Sequence, residues 1–411
     1  MNKDNTEHKK MSPKVIRYIP RNLKDLLIEM KDTSELMVDL AYSAMVYDDE
    51  DISGEVIDLE EKMDTLHYHM KMAAMLSTRR IEEAEDMVGV LQVAASAENI
   101  ANAAGDIAKI IEMDMGIPLE LKLALREAEE TIVRVTINEN SDMVGSTLGD
   151  LELEVETGMW VIAIRRHTDW VYDPHRDTRI RADDVIFARG HDEGVPLLIE
   201  LATTHKYVPR RVEHEKGLND LDKAVDIIVD MKNTAELAVG LAYSALLFDN
   251  TDIAEEVKAL EREMDEMKYD LQHWVLETAK HVADVNELRG LLHLANASES
   301  ISDAAYGIAD TVLRDIDLHP VITIAVRESD EVITKLRVEG CSPIIGKSYR
   351  ELKLGTETGI HIMAVKRAER WVYSPSAKTT VQEGDILIGR GSHTSEEALL
   401  EMCACPIRGD N

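Results

Sequence analysis

The chain has 411 residues, and its 79 acidic against 46 basic side chains give a formal charge of −33 at pH 7. That charge repels nucleic-acid phosphates and anionic lipid headgroups alike, so non-specific binding to either is not expected. The length exceeds what one core usually holds, and two Phe and four Trp among abundant Ala, Leu, Val, Ile and Met favour helix packing over an aromatic-rich β core.

Residues 20–115 carry three helical stripes. Leu23, Leu26, Leu27, Met30, Met37, Leu40, Ala41 and Ala44 recur at three and four, and a loop follows at Tyr47-Asp48-Asp49. Val56, Leu59, Met63, Leu66 and Met70 form the second stripe; Val90, Ala94, Ala97, Ala101, Ala104, Ala108 and Ile111 form the third. Small residues on the third allow close approach, which predicts an antiparallel three-helix unit. Gly116-Ile117-Pro118 ends it. One short helix is predicted over 119–130, then strands near 133–137, 161–164 and 184–188, and a closing helix over 195–201. Residues 207–217, with Pro209 and mixed charge, read as a linker.

The whole pattern then repeats. AYSAMVYDDEDISGEV starts at Ala41 and AYSALLFDNTDIAEEV at Ala242, an offset of 242 − 41 = 201 residues. TGMWVIAIRRHTDWVYDP from Thr157 and TGIHIMAVKRAERWVYSP from Thr358 keep the same offset. A period this long is duplication of a whole unit rather than a solenoid repeat. The fold class expected is multi-domain α+β, with helical units at 20–115 and 217–316 and small α+β domains at 119–206 and 320–405.

The α+β segments resemble the TrkA-C domain, the C-terminal domain of regulators of potassium conductance. The residues that carry this are Val144-Gly145-Ser146-Thr147-Leu148 with Leu151, Val161 to Arg166, and Asp183-Asp184-Val185-Ile186. The second copy has Ile345-Gly346-Lys347-Ser348-Tyr349 with Leu352, Ala364-Val365-Lys366-Arg367, and Gly384-Asp385-Ile386-Leu387. Asp183 stands where the repeat has Gly384, a substitution that a left-handed turn tolerates. The helical segments are similar to half of a PhoU-type domain, on Glu60 with Asp64, Glu261 with Asp265, Ala97 to Asn102, and Glu299-Ser300-Ile301-Ser302-Asp303.

The two resemblances supply the candidate sites. Comparable carboxylate pairs in PhoU proteins hold iron or zinc, which implies Glu60, Asp64, Glu98, Glu261, Asp265, Glu299 and Asp303 as metal ligands; Asn102 replaces the second carboxylate in the first copy. The plain alternative is a solvated acidic flank. Some TrkA-C domains bind cyclic dinucleotides between paired domains, which implies a nucleotide or phosphate near Arg165, Arg166, Lys366 and Arg367; the alternative is strand ends pairing with local acids. His67 reads as a lone exposed histidine, since the repeat has Lys268, and Cys341, Cys403 and Cys405 read as reduced thiols.

No nucleophile elbow, phosphate loop or HExxH occurs, and Gly389-Arg390-Gly391 lacks the rest of a dinucleotide fingerprint. No catalytic residue is expected, and a metal-dependent enzyme using the acidic pairs ranks last. No apolar run approaches a membrane span and the first residues lack a secretion signal, so a cytoplasmic protein is expected. The leading expectation is a regulator of potassium or other cation transport acting on a membrane channel or transporter. A PhoU-like regulator of phosphate transport or signalling is the alternative. Because TrkA-C domains commonly pair, the duplication implies a covalent pseudo-dimer, with further homodimerisation open.

Overall fold

The structure, a computed structural model, describes residues 19–126, 130–172, 174–207, 220–281, 285–314, 316, 318–368 and 370–405. Residues 208–219, which hold most of the expected linker, lie outside the described residues. The chain opens with α1 (Leu23–Tyr47), α2 (Glu50–Ser77) and α3 (Ile81–Glu112). Asn22 caps α1 by accepting from the Asp25 amide at 2.7 Å. Asp48 then turns left-handed and Asp49 caps α2 through the Asp51 and Ile52 amides, so the loop read from the sequence is a two-residue hinge.

A short helix, α4 (Leu119–Arg126), leads to β1 (Glu130–Thr136), so Glu130 belongs to a strand and not to the helix expected there. There follow α5 (Leu148–Leu151), α6 (Leu153–Thr157), β2 (Met159–Arg166), β3 (Asp169–Tyr172), β4 (Val185–His191) and α7 (Val195–Thr203). The second half repeats the order with α8 (Asp220–Phe248), α9 (Thr251–Ala279), α10 (Asn286–Leu313), α11 (Pro320–Glu328), β5 (Val332–Arg337), α12 (Tyr349–Leu352), α13 (Leu354–Thr358), β6 (His361–Arg367), β7 (Arg370–Tyr373), β8 (Ile386–Gly391) and α14 (His393–Cys403).

Each sheet is antiparallel and four-stranded, ordered β1-β4-β2-β3 and β5-β8-β6-β7. A register shift between Val161 and Ala163 lets Ile162 and Ala163 both join the helical core, while Val161 and Ile164 join a separate core under α7. The shift recurs between Ile362 and Ala364. One sheet face thus rides on helices and the other closes over its own domain. The left-handed turn at Asp183 (φ 66°) matches Gly384 (φ 82°), as the sequence implied.

The two helical units share one core. Alanine-rich α3 packs on α10, and the connecting helices cross over, with α4 against α8 and α11 against α1. Lys31 lies over the Tyr243 ring and Lys232 over the Tyr42 ring, each 5.3 Å from the centroid, so the halves exchange equivalent cation–π contacts. No helix among the described residues is long and apolar enough to cross a membrane.

Two expectations are corrected. Cys341 and Cys405 form a disulfide, with Cα atoms 5.1 Å apart, because the loop after β5 and the chain after α14 run together; only Cys403 is a thiol, buried and pushed up to about 11 by that burial. His67 is buried rather than exposed, with 5% of its surface accessible, because α3 covers that edge of α2 and places Glu98 3.2 Å from His67 Nδ1.

Candidate functional site

The two sheet units meet through α6 and α13. Each helix ends on a left-handed glycine, Gly158 (φ 70°) and Gly359 (φ 71°). A Cβ on Gly158 would stand 2.6 Å from Thr356 Cα, and one on Gly359 would stand 3.2 Å from the Glu154 carbonyl oxygen. Backbone meets backbone here, so both glycines are needed twice over. Ser392 Oγ donates to Glu154 across the junction, where burial raises the Glu154 carboxyl. Two clefts flank the pairing. One of about 370 Å³ is lined by Glu152, His175, Arg176 and His393, and one of about 260 Å³ by Tyr349, Arg350, Lys353 and His361.

The four basic candidates sit at the ends of β2 and β6, each facing an acid. Arg166 grips Asp184 with two bonds of 2.8 and 2.7 Å and adds the Arg179 carbonyl at 3.0 Å. Arg367 does the same to Asp385 at 2.9 and 2.7 Å, with the Thr380 carbonyl at 2.7 Å. Both acids are 1% exposed, and each also accepts a backbone amide, from Arg181 or Gln382. These are closed forks that hold a strand end to its neighbouring turn. Arg165 reaches Asp51 at 3.4 Å and Asp49 at 3.8 Å, and Lys366 reaches Asp252 at 3.9 Å, so this second pair ties each sheet to the α1–α2 or α8–α9 hinge.

The acidic pairs flank the helical stripes, but the copies differ. In the first, Lys109 lies 3.6 Å from Glu60, whose carboxyl rests in the space a Cβ on Gly105 would fill, and His67 takes Glu98. Asp64 is exposed. In the second, Asp310 and Tyr306 stand where the first has Lys109 and Gly105, and Lys268 takes Glu299 at 2.9 Å. Burial, then Glu299, Glu261 and Asp265, push Asp303 up to about 6. Among the described residues, no three of these carboxylates bring oxygens within 4.8 Å of one another. The first copy, with its lysine and Asn102, does not fit a metal ion. The second has the charge for one but not, as placed, the convergence.

Sequence reasoning missed the residues that join the units. Arg134 bonds Asp49 and lies 4.9 Å over the Tyr47 ring, whose hydroxyl donates to the Ile132 carbonyl at 3.2 Å. Arg189 bonds Asp39 at 3.0 Å and also Glu331 of the other half. The available signal was the repeat itself, since Arg189 matches Arg390 whereas Asp39 matches Gly240.

The PhoU domain model matches residues 27–111 and 228–312, and the TrkA-C domain model matches 132–203 and 333–403. The chain is a tandem PhoU and TrkA-C protein. Both are regulatory, non-catalytic domain families, and their alternation gives the internally duplicated chain a regulatory role. The ammonium/H(+) antiporter subunit AmhM of Alkalihalophilus pseudofirmus is 24% identical over 123 residues, 30% of this chain and 72% of that subunit. PhoU from Pseudomonas aeruginosa aligns over 71% of this chain and 96% of its own, at 11% identity and a TM-score of 0.38. The GsuK channel bound to NAD aligns over 78% of this chain and 65% of its own, at 13% identity and a TM-score of 0.19.

Proposed function

We propose that this tandem protein regulates a membrane cation transporter, potassium transport foremost, by sensing a small ligand or ion between its TrkA-C units. The observation that carries this reading is the pairing of those units through Gly158 and Gly359, with a cleft on either side, one edged by Arg350 and Lys353 and the other holding Arg176 among Glu152, Glu154, Asp177 and Asp330. A ligand seated there touches both units, and it acts only if it binds one arrangement of the pair better than another. The likeness to an antiporter subunit supports a transporter as the partner. A cyclic dinucleotide suits the cleft edged by Arg350 and Lys353 better than the acid-lined one around Arg176. The test is a thermal-shift series with cyclic dinucleotides and adenine nucleotides on the wild type, Arg176→Ala and Arg350→Ala. Stabilisation of the wild type that Arg350→Ala weakens more than Arg176→Ala is expected; no stabilisation by any nucleotide sinks the nucleotide reading.

The second reading is a PhoU-like metal-binding regulator of phosphate transport or signalling. Asp303, raised to about 6 by burial and then by Glu299, Glu261 and Asp265, supports the second copy as its site. Iron and zinc content of purified Glu261→Gln plus Asp303→Asn, set against Glu60→Gln, checks it. Loss of metal in the first variant alone is the expected pattern.

A further inference from the structure

The loop after β5 and the chain after α14 run together in the second TrkA-C unit, and they bring three ligand-type side chains to one point. Sγ of Cys341, Sγ of Cys405 and a carboxylate oxygen of Glu339 all lie within 4.8 Å of one another. Glu339 and Cys341 are exposed and Cys405 is half-buried, so the group opens to solvent. A second acid stands beside it. Glu383 lies over the turn between Glu339 and Cys341, where a Cβ on Gly340 would stand 2.6 Å from Glu383 Oε1.

The first unit has none of these side chains. Asn138, Asn140, Ala182 and Thr204 occupy the positions of Glu339, Cys341, Glu383 and Cys405, although the sheet order is the same. There the loop is tied to its closing helix by hydrogen bonds. The Asn138 amide donates to the Ala202 carbonyl at 2.9 Å, and Ser141 Oγ donates to the Leu201 carbonyl at 2.7 Å. Ser342 is the counterpart of Ser141. It is 6% exposed, and its hydroxyl has no hydrogen-bond partner among the described residues. The second unit has lost the hydroxyl tie and has gathered sulfur and carboxylate at the same place.

The disulfide is one state of this cysteine pair, and the reduced pair is the other. Two thiolates bound to one zinc ion sit about 3.8 Å apart, a spacing that the 5.1 Å Cα separation admits after rotation about the Cα–Cβ bonds. Two soft sulfurs and one carboxylate suit Zn²⁺, which accepts three protein ligands and a water. They do not suit Ca²⁺ or Mg²⁺, which take oxygen. Cys403 is outside the set, because it is buried in the core beneath α14 with its thiol pushed up to about 11.

We propose that the reduced chain binds one zinc ion through Cys341, Cys405 and Glu339, and that this ion replaces the disulfide as the tie between the loop after β5 and the end of α14. A low-molecular-weight thiol opens the disulfide in two exchanges, which leave two cysteine thiols and the reagent oxidised to its own disulfide. Zn²⁺ then displaces both thiol protons to solvent and is held by two thiolates and the Glu339 carboxylate, with water in the fourth position. The tie reaches further than its own loop. α14 packs on α13 and α6, and its start sets Ser395 against Gly359 and Ser392 against Glu154. The ion therefore holds one end of a helix whose other end builds the junction of the TrkA-C units. This site is separate from the clefts at that junction and from the acidic pairs of the helical units.

Cobalt and zinc binding to the full chain test the site. The protein is reduced with a phosphine, freed of reductant without air, and titrated with Co²⁺. The reduced wild type should show the sulfur-to-cobalt charge-transfer band and the visible absorption of tetrahedral cobalt, and one equivalent of Zn²⁺ should bleach both. The oxidised chain should show neither. Cys341→Asn and Cys405→Thr, which copy the first unit and leave Cys403 in place, should each weaken binding by more than about tenfold. Glu261→Gln plus Asp303→Asn should keep the band unchanged, which separates this ion from one on the acidic helices. No sulfur-to-cobalt band in the reduced wild type, or the same band in a folded Cys341→Asn or Cys405→Thr, overturns the proposal. So does equal cobalt absorption in the oxidised and reduced chains, a comparison that needs no variant to fold.

Discussion

Arg166→Ala separates a structural fork from a ligand-binding arginine. The substitution removes both bonds to Asp184 and leaves that carboxylate, 1% exposed, with the Arg181 amide as its remaining partner shown here. Stranding a buried carboxylate costs about 3–5 kcal/mol, and the partial exposure of Arg166 (18%) admits water and places the loss near the lower end, about 3 kcal/mol. Three kcal/mol is roughly two orders of magnitude in an opening equilibrium. Hydrogen exchange of the β2 and β4 amides, followed by mass spectrometry without any ligand, reads it directly. Arg367→Ala is the internal replicate on β6 and β8. Arg165→Ala is the milder comparison, because its nearer partner Asp51 is 85% exposed, where such a pair contributes less than about 1 kcal/mol, and Asp49, 3.8 Å away, keeps Arg134. An unchanged exchange rate in Arg166→Ala, or one indistinguishable from Arg165→Ala, refutes the structural assignment.

Three further outcomes follow from the same geometry. Asp32 titrates at about 8 in the fold against 3.8 in the free side chain, so its contribution is complete below pH 4 and lost as pH rises towards 8. Asp32→Asn should therefore be increasingly more stable than the wild type from pH 5 to pH 8, by up to about 5 kcal/mol; urea titrations showing a constant difference would count against this. Asp303, raised to about 6, follows the same sign over a narrower window, and Asp303→Asn should gain about 1 kcal/mol at pH 7 once solvent screening is allowed for. Gly158→Ala forces a left-handed alanine into contact with Thr356 Cα, and proteolysis should then open α6 and α13 together; an unchanged cleavage pattern would show that the pairing is not held there.

Much of this was legible before any coordinates, because periodicity and repetition are properties of the chain itself. The stripes of α1, α2 and α3, the duplication, and the left-handed turn at Asp183 all rest on local spacing and backbone sterics. What stayed hidden depended on which surface covers which edge. His67 lay at the margin of a helical wheel, and only the approach of Glu98 on α3 decides that it is buried. Arg166 announced a basic strand end, yet its acid is 18 residues away across a sheet register. Cys341 and Cys405, 64 residues apart, meet only once α14 has closed the domain. The acidic residues from Asp25 to Asp39 recur at helical spacing beside the apolar stripe of the same helix, but that Trp160 and Asp330 from two other units come to face them is a matter of tertiary packing.

Duplication within one chain also changes what divergence can do. In a symmetric homodimer every substitution appears twice, so a site near the axis is doubled or lost. Fusion removes that constraint, and the two halves record where it was used. Some groups that shape and pair the TrkA-C units recur in both, as with Gly158 and Gly359 at the junction or the Arg166–Asp184 and Arg367–Asp385 forks within each unit. The groups that line the junction of bundle and sheet differ, as with Asp32 and Asn233, Asp39 and Gly240, or Trp160 and His361. Packing demands explain the first set, since both halves must fold and pair. They do not explain the second, where one half retains an open acidic cavity and the other fills the same place with Met363. Divergence confined to one junction of a nearly symmetric body is an arrangement that a homodimer of identical units cannot reach.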